Sequence, residues 1–450
     1  MYLSILFFLL YIGVVVVIGW IASKNETEEG FMMADRNVAG LQLAATMSAG
    51  FFDGSTLSIY LAYMYKFGLS AIWLFIGLSL GFLVLKRFAP RIKKKADELK
   101  VYTMPEYFHR TIGERSGLAY SLVLTIAFFF WLTVNLIVSG QVLSAIFPLP
   151  YELSVAIGGG IILTYLLLAG FKAVVRTDVF QLLIMTFMTL MVATVLFGRT
   201  SIPISDVQFI GTMDAGTLIG FLVIGVFGIM VQPDLWQRMF AARDVPTMKH
   251  GLSYGAIILP ILALVLAVIG LVTKQLIPGI APEHALVTGF STLLPMGVKE
   301  LAMVLLYAVC LSSSDTVTFV VSSIFTKDVQ NRTRRFSHSS MRTMTRLFIT
   351  VFLCTGVITA ILFQDIIAFG LSVASLSLAL FPATFGSLCW KLSDSAVSWS
   401  IGLAALSIVP LLATGTLTPE TSIIPLPISL ICLLIFQGIA HWRQRVIVSH

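Results

Sequence analysis

Long apolar segments recur along the whole chain and constrain its fold more than any other feature. Thirteen of them have about the 20 predominantly apolar residues that a helix needs to cross the hydrocarbon core of a bilayer. They lie at residues 3–23, 38–64, 69–89, 117–147, 151–172, 177–198, 214–236, 251–273, 297–326, 344–363, 367–390, 396–414 and 422–441. Because backbone in lipid must satisfy its own hydrogen bonds, each segment is predicted to be a helix. We therefore expect an all-α polytopic membrane protein with about 13 transmembrane helices.

The scarcity of charge supports this prediction. Only 11% of the 450 residues are charged, and 58% are apolar. A soluble domain has roughly 25% charged residues, so the composition excludes a soluble globular chain, and its hydrophobicity excludes a disordered one. The first segment is longer than the core of a signal peptide, which has about 7–15 residues, and is predicted to be a retained helix.

The positive charges mark one side of the membrane. With thirteen spans, 25 of the 29 lysines and arginines fall in segments on the same side. Cytoplasmic loops carry the excess of basic residues, so the N-terminus is predicted to lie outside and the C-terminus in the cytoplasm. The net charge of +7 thus records orientation in a cell membrane and does not indicate a nucleic-acid partner.

Three carboxylates lie inside predicted spans, where an ionisable group is costly and therefore a candidate for function. Asp53 lies deep in the second span, Asp178 at the cytoplasmic start of the sixth, and Asp315 in the ninth. Each has a structural alternative, which is a hydrogen bond to a neighbouring helix. Function is favoured for Asp53 and Asp178, and the two readings are balanced for Asp315.

Two spans carry signs of interruption. Gly50 and Gly54 flank Asp53, and three glycines of the seventh span precede Val231-Gln232-Pro233. Glycine and proline weaken a helix, and an interrupted span is tolerated only beside a cavity or buried protein. Freed carbonyls and nearby hydroxyls are ligands for a hard cation such as Na⁺. The ninth span adds hydroxyls at Ser312, Ser313, Ser314 and Thr316, although small residues also serve close helix packing.

The two interrupted spans are five apart. Interrupted helices at matching positions of two halves are typical of inverted-repeat transporters with a site at the membrane midplane. We therefore predict a leucine-transporter-like arrangement of two five-helix repeats, at residues 38–198 and 214–392. An extra N-terminal helix and loop (1–37) and two C-terminal helices with a short tail (393–450) would flank them.

Five segments in order resemble the sodium/solute symporter family, which includes the sodium/proline and sodium/glucose cotransporters. These segments lie at residues 28–36, 103–113, 169–181, 232–242 and 312–328. The resemblance implies a sodium site between the second and ninth spans. Its ligands would be the backbone carbonyls of Phe51, Gly54 and Val309 and the hydroxyls of Ser312 and Ser313. Asp178 matches a family carboxylate near the sodium exit path.

The resemblance also suggests a solute site. Asp53 and Ser55 match residues of proline-type members, and such a carboxylate could bind a substrate amine, shape the sodium site or take a proton. The expected solute contacts are Asp53, Ser55, Thr56, Gly225, Ile229 and Gln232. Proline-type members carry aromatic residues where this chain has Gly225 and Ile229, which argues against proline as the solute.

The expected function is secondary active transport, in which Na⁺ entry drives uptake of a small organic solute, with no enzymatic activity and no cofactor. An amino acid or small carboxylate is favoured over a sugar. Three alternatives stay open: a proton-coupled symporter with Asp53 or Asp315 as the carrier, a solute-sensing membrane module, and a channel. The expected partners are the solute, Na⁺ and the lipid bilayer, and the oligomeric state stays open.

Overall fold

The computed structural model describes residues 2–23, 27–38, 40–51, 53–197, 201–208, 211, 213–332 and 341–448. In these ranges no β-strand occurs, and Val38 and Ala242 form one isolated parallel bridge. The α-helices are α1 (Tyr2–Ser23), α2 (Glu28–Met33), α3 (Gly40–Ala49), α4 (Gly54–Phe67), α5 (Trp73–Leu99), α6 (Met104–Thr111), α7 (Glu114–Ile146), α8 (Tyr151–Leu196), α9 (Ala215–Gly228), α10 (Pro233–Ala241), α11 (Val245–Leu276), α12 (Ala285–Leu293), α13 (Val298–Arg332), α14 (Met341–Leu362), α15 (Ile366–Cys389), α16 (Asp394–Leu406), α17 (Ile408–Ala413) and α18 (Pro425–Val448).

The all-α membrane architecture is confirmed, whereas the count of thirteen spans stays a prediction. Among the described residues, ten helices are long and apolar enough to cross a bilayer, or eleven with the bent pair α9–α10. The prediction places α4 and α5 in two different spans, whereas the count of ten takes Gly54–Leu99 as a single span. It also includes the first part of α8, whose apolar stretch Tyr151–Thr164 is short.

Both predicted interruptions are present. The first separates α3 from α4, where Asp53 takes an extended backbone conformation (φ −97°, ψ 167°) and caps the second helix. The second follows a short 3-10 turn after α9, where Gln232 is extended and Pro233 begins α10 with a bend of 43°. Proline suits the first helical position because it has no backbone N–H to leave unsatisfied there.

A kink divides α8 into two arms. Gly170 lies at φ 53° and ψ −162°, a conformation that side chains on Cβ disfavour. A Cβ on Gly170 would also lie 2.4 Å from Cδ2 of Phe31, so this residue allows α2 to pack against the kink. The predicted fifth and sixth spans therefore correspond to the two arms of α8, which meet at Gly170.

Helix α13 lies at the centre of the bundle. It packs against α1, α7, α8 and α14, and 94% of the residues in its most apolar 18-residue stretch are buried. Gly54 at the start of α4 touches it directly, because a Cβ there would lie only 2.2 Å from Sγ of Cys310. The first interruption is thereby held against the hydroxyl-rich segment of α13.

Ion pairs hold the segment before α3 in place. Lys172 Nζ lies 3.0 Å from Oδ2 of Asp35, and Arg36 Nε lies 2.6 Å from Oε1 of Glu29. The bond from Lys172, with a further bond from Thr27, lowers the pKa of Asp35 below its usual value. These contacts join α2 and the entry to α3 to the kinked helix α8.

Close packing of α5 on α9 generates a prediction about stability. A Cβ on Gly225 would lie 2.6 Å from the carbonyl oxygen of Leu74 and 2.7 Å from the carbonyl carbon of Gly77. Overpacking of this kind costs about 1–3 kcal/mol. We expect Gly225→Ala to lower the melting temperature in detergent, measured by thermal unfolding. Gly228→Ala in the same helix is the matched control, because no atom of a neighbouring helix lies within 4 Å of its Cβ position. Equal melting temperatures for the two variants would contradict this packing.

Candidate functional site

The two helix breaks meet at a small polar cavity beside α13. Its volume is about 20 Å³, which suits one water molecule or ion. Its wall consists of Ala49, Gly50, Phe51, Asp53, Phe128, Trp131, Asp178, Gln232, Asp234, Ser312, Ser313, Thr316 and Val317. We call it the polar cavity. Six of the predicted site residues lie in its wall: Phe51, Asp53, Asp178, Gln232, Ser312 and Ser313.

Asp53 is fixed by three donors. Its Oδ1 accepts hydrogen bonds from the backbone N–H of Thr56 and from the Ser55 hydroxyl, the latter at 2.7 Å. Its Oδ2 accepts a bond of 2.6 Å from Nε1 of Trp131. The carboxylate therefore caps α4, as an acidic N-cap residue commonly does. It also contacts a second helix, α7, and lines the polar cavity.

Two residues of α7, Trp131 and Asn135, bind the first break but were not among the predicted site residues. Asn135 donates to the Ser55 hydroxyl at 3.2 Å, and its Oδ1 accepts the backbone N–H of Ser55 at 3.3 Å. It thereby satisfies a second backbone donor at the start of α4. For Asn135 a signal was present in the sequence, because a polar amide within an apolar span is costly to bury without a hydrogen-bond partner.

The proposed sodium ligands lie in two layers. Ser312 and Ser313 reach the polar cavity, and Ser312 donates to Oε1 of Gln181 while Ser313 donates to the Val309 carbonyl at 3.3 Å. Gly54 and Val309 are buried where α4 touches α13, but they do not line the cavity. The cavity thus offers hydroxyl and carboxylate oxygens, which suit a hard cation.

Asp178 belongs to a buried ion cluster. Arg238 places Nη2 3.1 Å from Oδ2 of Asp178 and Nη1 2.5 Å from Oδ2 of Asp234. Its Nε donates to the Thr46 hydroxyl at 2.8 Å, and Thr46 in turn donates to Asp178. Asp234 and Arg238 were absent from the predicted site, although both follow the predicted break at Gln232.

Asp315 lies apart from the cavity. It is buried in α13 and accepts a bond of 3.3 Å from the hydroxyl of Thr316. Thr316 lines the polar cavity and Asp315 does not. The structure therefore brings two of the three candidate carboxylates, Asp53 and Asp178, to the site.

A second, larger cavity adjoins the first and is mostly apolar. Its volume is about 100 Å³. The lining residues are Phe51, Thr56, Ile59, Tyr63, Leu74, Leu78, Trp131, Phe221, Ile224, Gly228, Gln232, Gly370, Leu371, Val373, Ala374 and Ser377. We call it the apolar cavity. Phe51, Trp131 and Gln232 are shared with the polar cavity, so the two spaces are neighbours.

The structure brings only part of the predicted solute site to these cavities. Thr56 and Gln232 line the apolar cavity, and Ser55 is buried against Asn135 instead. Gly225 and Ile229 do not reach either cavity. Gly225 packs on α5, and Ile229 packs against Gly81 of the same helix, where an added Cβ would lie 2.9 Å from Cβ of Ile229. The seventh span turns Phe221, Ile224 and Gly228 to the cavity, which is one helical position away from the assumed register.

The family model for sodium:solute symporters matches residues 31–388, most of the chain and both cavities. The chain belongs to the sodium:solute symporter family. The members are transporters and not enzymes. The family assignment from the five sequence segments is therefore confirmed.

Similar proteins agree with this assignment. The osmoregulated proline transporter OpuE of Bacillus subtilis is 24% identical over 425 residues, which cover 85% of this chain and 83% of that protein. The sodium/pantothenate symporter of Haemophilus influenzae is 23% identical, with 77% of each chain covered.

Solved structures confirm the leucine-transporter-like fold. A Na⁺-coupled sialic acid symporter in a substrate-bound outward-open state superposes with a TM-score of 0.83 over 98% of both chains, at 17% identity. The symporter Mhp1 of the nucleobase-cation-symport-1 family has a TM-score of 0.64 at 14% identity, over 92% of this chain and 95% of its own.

The capping role of Asp53 can be tested separately from transport. Asp53→Ala removes the cap and leaves the Trp131 N–H without its acceptor, whereas Asp53→Asn keeps an oxygen for the Thr56 N–H. Loss of an N-cap costs about 0.5–2 kcal/mol. We expect thermal unfolding in detergent to show a larger loss of stability for Asp53→Ala than for Asp53→Asn. The reverse order would contradict the capping role.

Proposed function

We propose that this symporter couples Na⁺ entry to uptake of a small organic solute by alternating access. The observation that carries the proposal is the polar cavity, where oxygen atoms of the first break and of α13 that could coordinate a cation lie in one wall. Ser312, Ser313 and Asp53 line a space of about 20 Å³, the size of one ion. The carbonyls of Phe51, Gly54 and Val309, where α4 touches α13, would complete the coordination.

The apolar cavity is the proposed solute site. Its wall is largely aliphatic and aromatic, and only four lining residues carry a hydroxyl or amide group: Thr56, Tyr63, Gln232 and Ser377. Such a site suits a solute with an apolar body and one or two polar groups, since each buried polar group needs a partner. An amino acid or small carboxylate fits this wall better than a sugar, whose several hydroxyls would lack partners.

Shared residues provide a route for coupling. Phe51 belongs to both cavities, and Asp53 is bonded to Trp131, which also belongs to both. Na⁺ that fixes the first break would therefore also fix one wall of the solute site. Linkage then requires that solute binding tighten Na⁺ binding by the same factor.

The proposed setting is the cell membrane, with the N-terminus outside and the C-terminus in the cytoplasm. The distribution of lysine and arginine supports this orientation. We also propose that residues 38–198 and 214–392 form the two five-helix repeats of the fold. The breaks α3–α4 and α9–α10 each occur in the first span of its repeat.

The hydroxyls of α13 provide the main test. In transport and thermal-shift assays we expect Na⁺ to strengthen solute binding, and we expect Ser312→Ala with Ser313→Ala to remove most of that Na⁺ dependence. Ser314→Ala is the matched control, because its hydroxyl bonds the Cys310 carbonyl at 2.8 Å and does not line the cavity. Unchanged Na⁺ dependence in the double variant would exclude this sodium site.

Proton coupling is a second candidate, favoured by the buried carboxylate of Asp53 at the cavity wall. Replacing Na⁺ by choline at constant pH separates the two. The sodium proposal predicts that uptake into proteoliposomes stops. Uptake that persists in choline and follows an imposed pH gradient would instead support proton coupling.

A further inference from the structure

Arg238 is the cation of the ion cluster at the polar cavity. Its side chain is 1% exposed, and its guanidinium contacts Asp178, Asp234 and Thr46. These partners lie on α8, α10 and α3, so one side chain joins three helices. Arginine suits this position because its planar fork can hold several oxygens at once and stays charged.

The cluster lies beside the first break. A Cβ on Gly50 would lie 3.1 Å from Oδ2 of Asp234 and 3.3 Å from Nη1 of Arg238. Asp178 and Asp234 line the polar cavity together with Ser312 and Ser313. A cation in that cavity would therefore lie beside Asp178 and Asp234, the two carboxylates that pair with Arg238.

The charges of the cluster do not balance. Two carboxylates face one guanidinium, and Asp53 adds a third carboxylate to the same cavity wall. Buried charges are stable only when they are paired and hydrogen-bonded. A cation in the cavity would reduce the excess negative charge, but it would have to share Asp178 with Arg238.

We propose that Arg238 competes with Na⁺ for the carboxylate of Asp178. Its guanidinium positions this carboxylate and thereby limits the affinity of the cavity for Na⁺. This inference rests on the proposed function. While Arg238 bonds Asp178, α3, α8 and α10 stay together at the Thr46 side of the polar cavity. When these helices separate, Arg238 keeps Asp234, its partner on the same helix, and releases Asp178. Na⁺ then leaves past Asp178, and the return of Arg238 prevents the ion from staying there.

Two variants should shift Na⁺ affinity in opposite directions. Arg238→Gln removes the competitor, so the Na⁺ concentration for half-maximal thermal stabilisation should fall at least about tenfold, while solute turnover slows. Asp234→Asn leaves Asp178 as the only carboxylate for Arg238, so that concentration should rise. A purely structural role would not produce opposite shifts.

Three controls complete the experiment, with choline chloride at equal ionic strength throughout. Arg238→Lys keeps the charge and should stay nearer to the unmodified protein than Arg238→Gln. Arg238→Gln with Asp178→Asn should return the Na⁺ concentration towards its original value. Arg243→Gln should change nothing, because that arginine is exposed and pairs with Asp244 at 3.1 Å.

The outcomes separate the two proposals. An unmodified protein that Na⁺ does not stabilise would overturn the proposed function. Stabilisation of the unmodified protein with unchanged or weaker Na⁺ affinity in Arg238→Gln would overturn only the role of Arg238. If Arg238→Gln does not fold, Asp234→Asn decides alone, and tighter or unchanged Na⁺ binding in that variant overturns the role.

Discussion

Backbone groups freed inside a membrane must find partners in the protein, and the rest of this structure depends on how two helix breaks meet that requirement. At the first break, Asp53 accepts the N–H of Thr56 and Asn135 accepts the N–H of Ser55. At the second, the indole of Trp236 donates to the Met230 carbonyl at 2.9 Å. Side chains thus replace the missing helical bonds, and one of them, Asp53, also lines the polar cavity.

Close contacts then determine where the breaks lie. Gly54 sets α4 directly on Cys310 of α13, and Gly77 and Gly225 let α5 and α9 approach within backbone distance. Small residues serve this purpose in membranes, where no hydrophobic effect drives helices together. The two breaks consequently meet beside α13 and enclose the polar cavity.

The two cavities differ in the chemistry of their walls. Carboxylates and hydroxyls surround the smaller one, and aliphatic and aromatic side chains surround the larger one. Phe51 and Trp131 form part of both walls, so a movement of either side chain would change the shape of both cavities. The ion cluster around Arg238 joins α3, α8 and α10 at the polar cavity, so it connects this cavity to three helices at once.

The sequence by itself determined the helical membrane class, the family and the approximate place of both breaks, because apolar length, glycine and proline act locally. It also indicated Asp53 and Asp178 as buried carboxylates. Only the tertiary structure decided their partners, since Trp131 and Arg238 come from helices distant in sequence. It likewise turned Gly225 towards α5 and away from the apolar cavity, because the packing neighbours of a helix set which face it presents, and a shift of one residue rotates that face by about 100°.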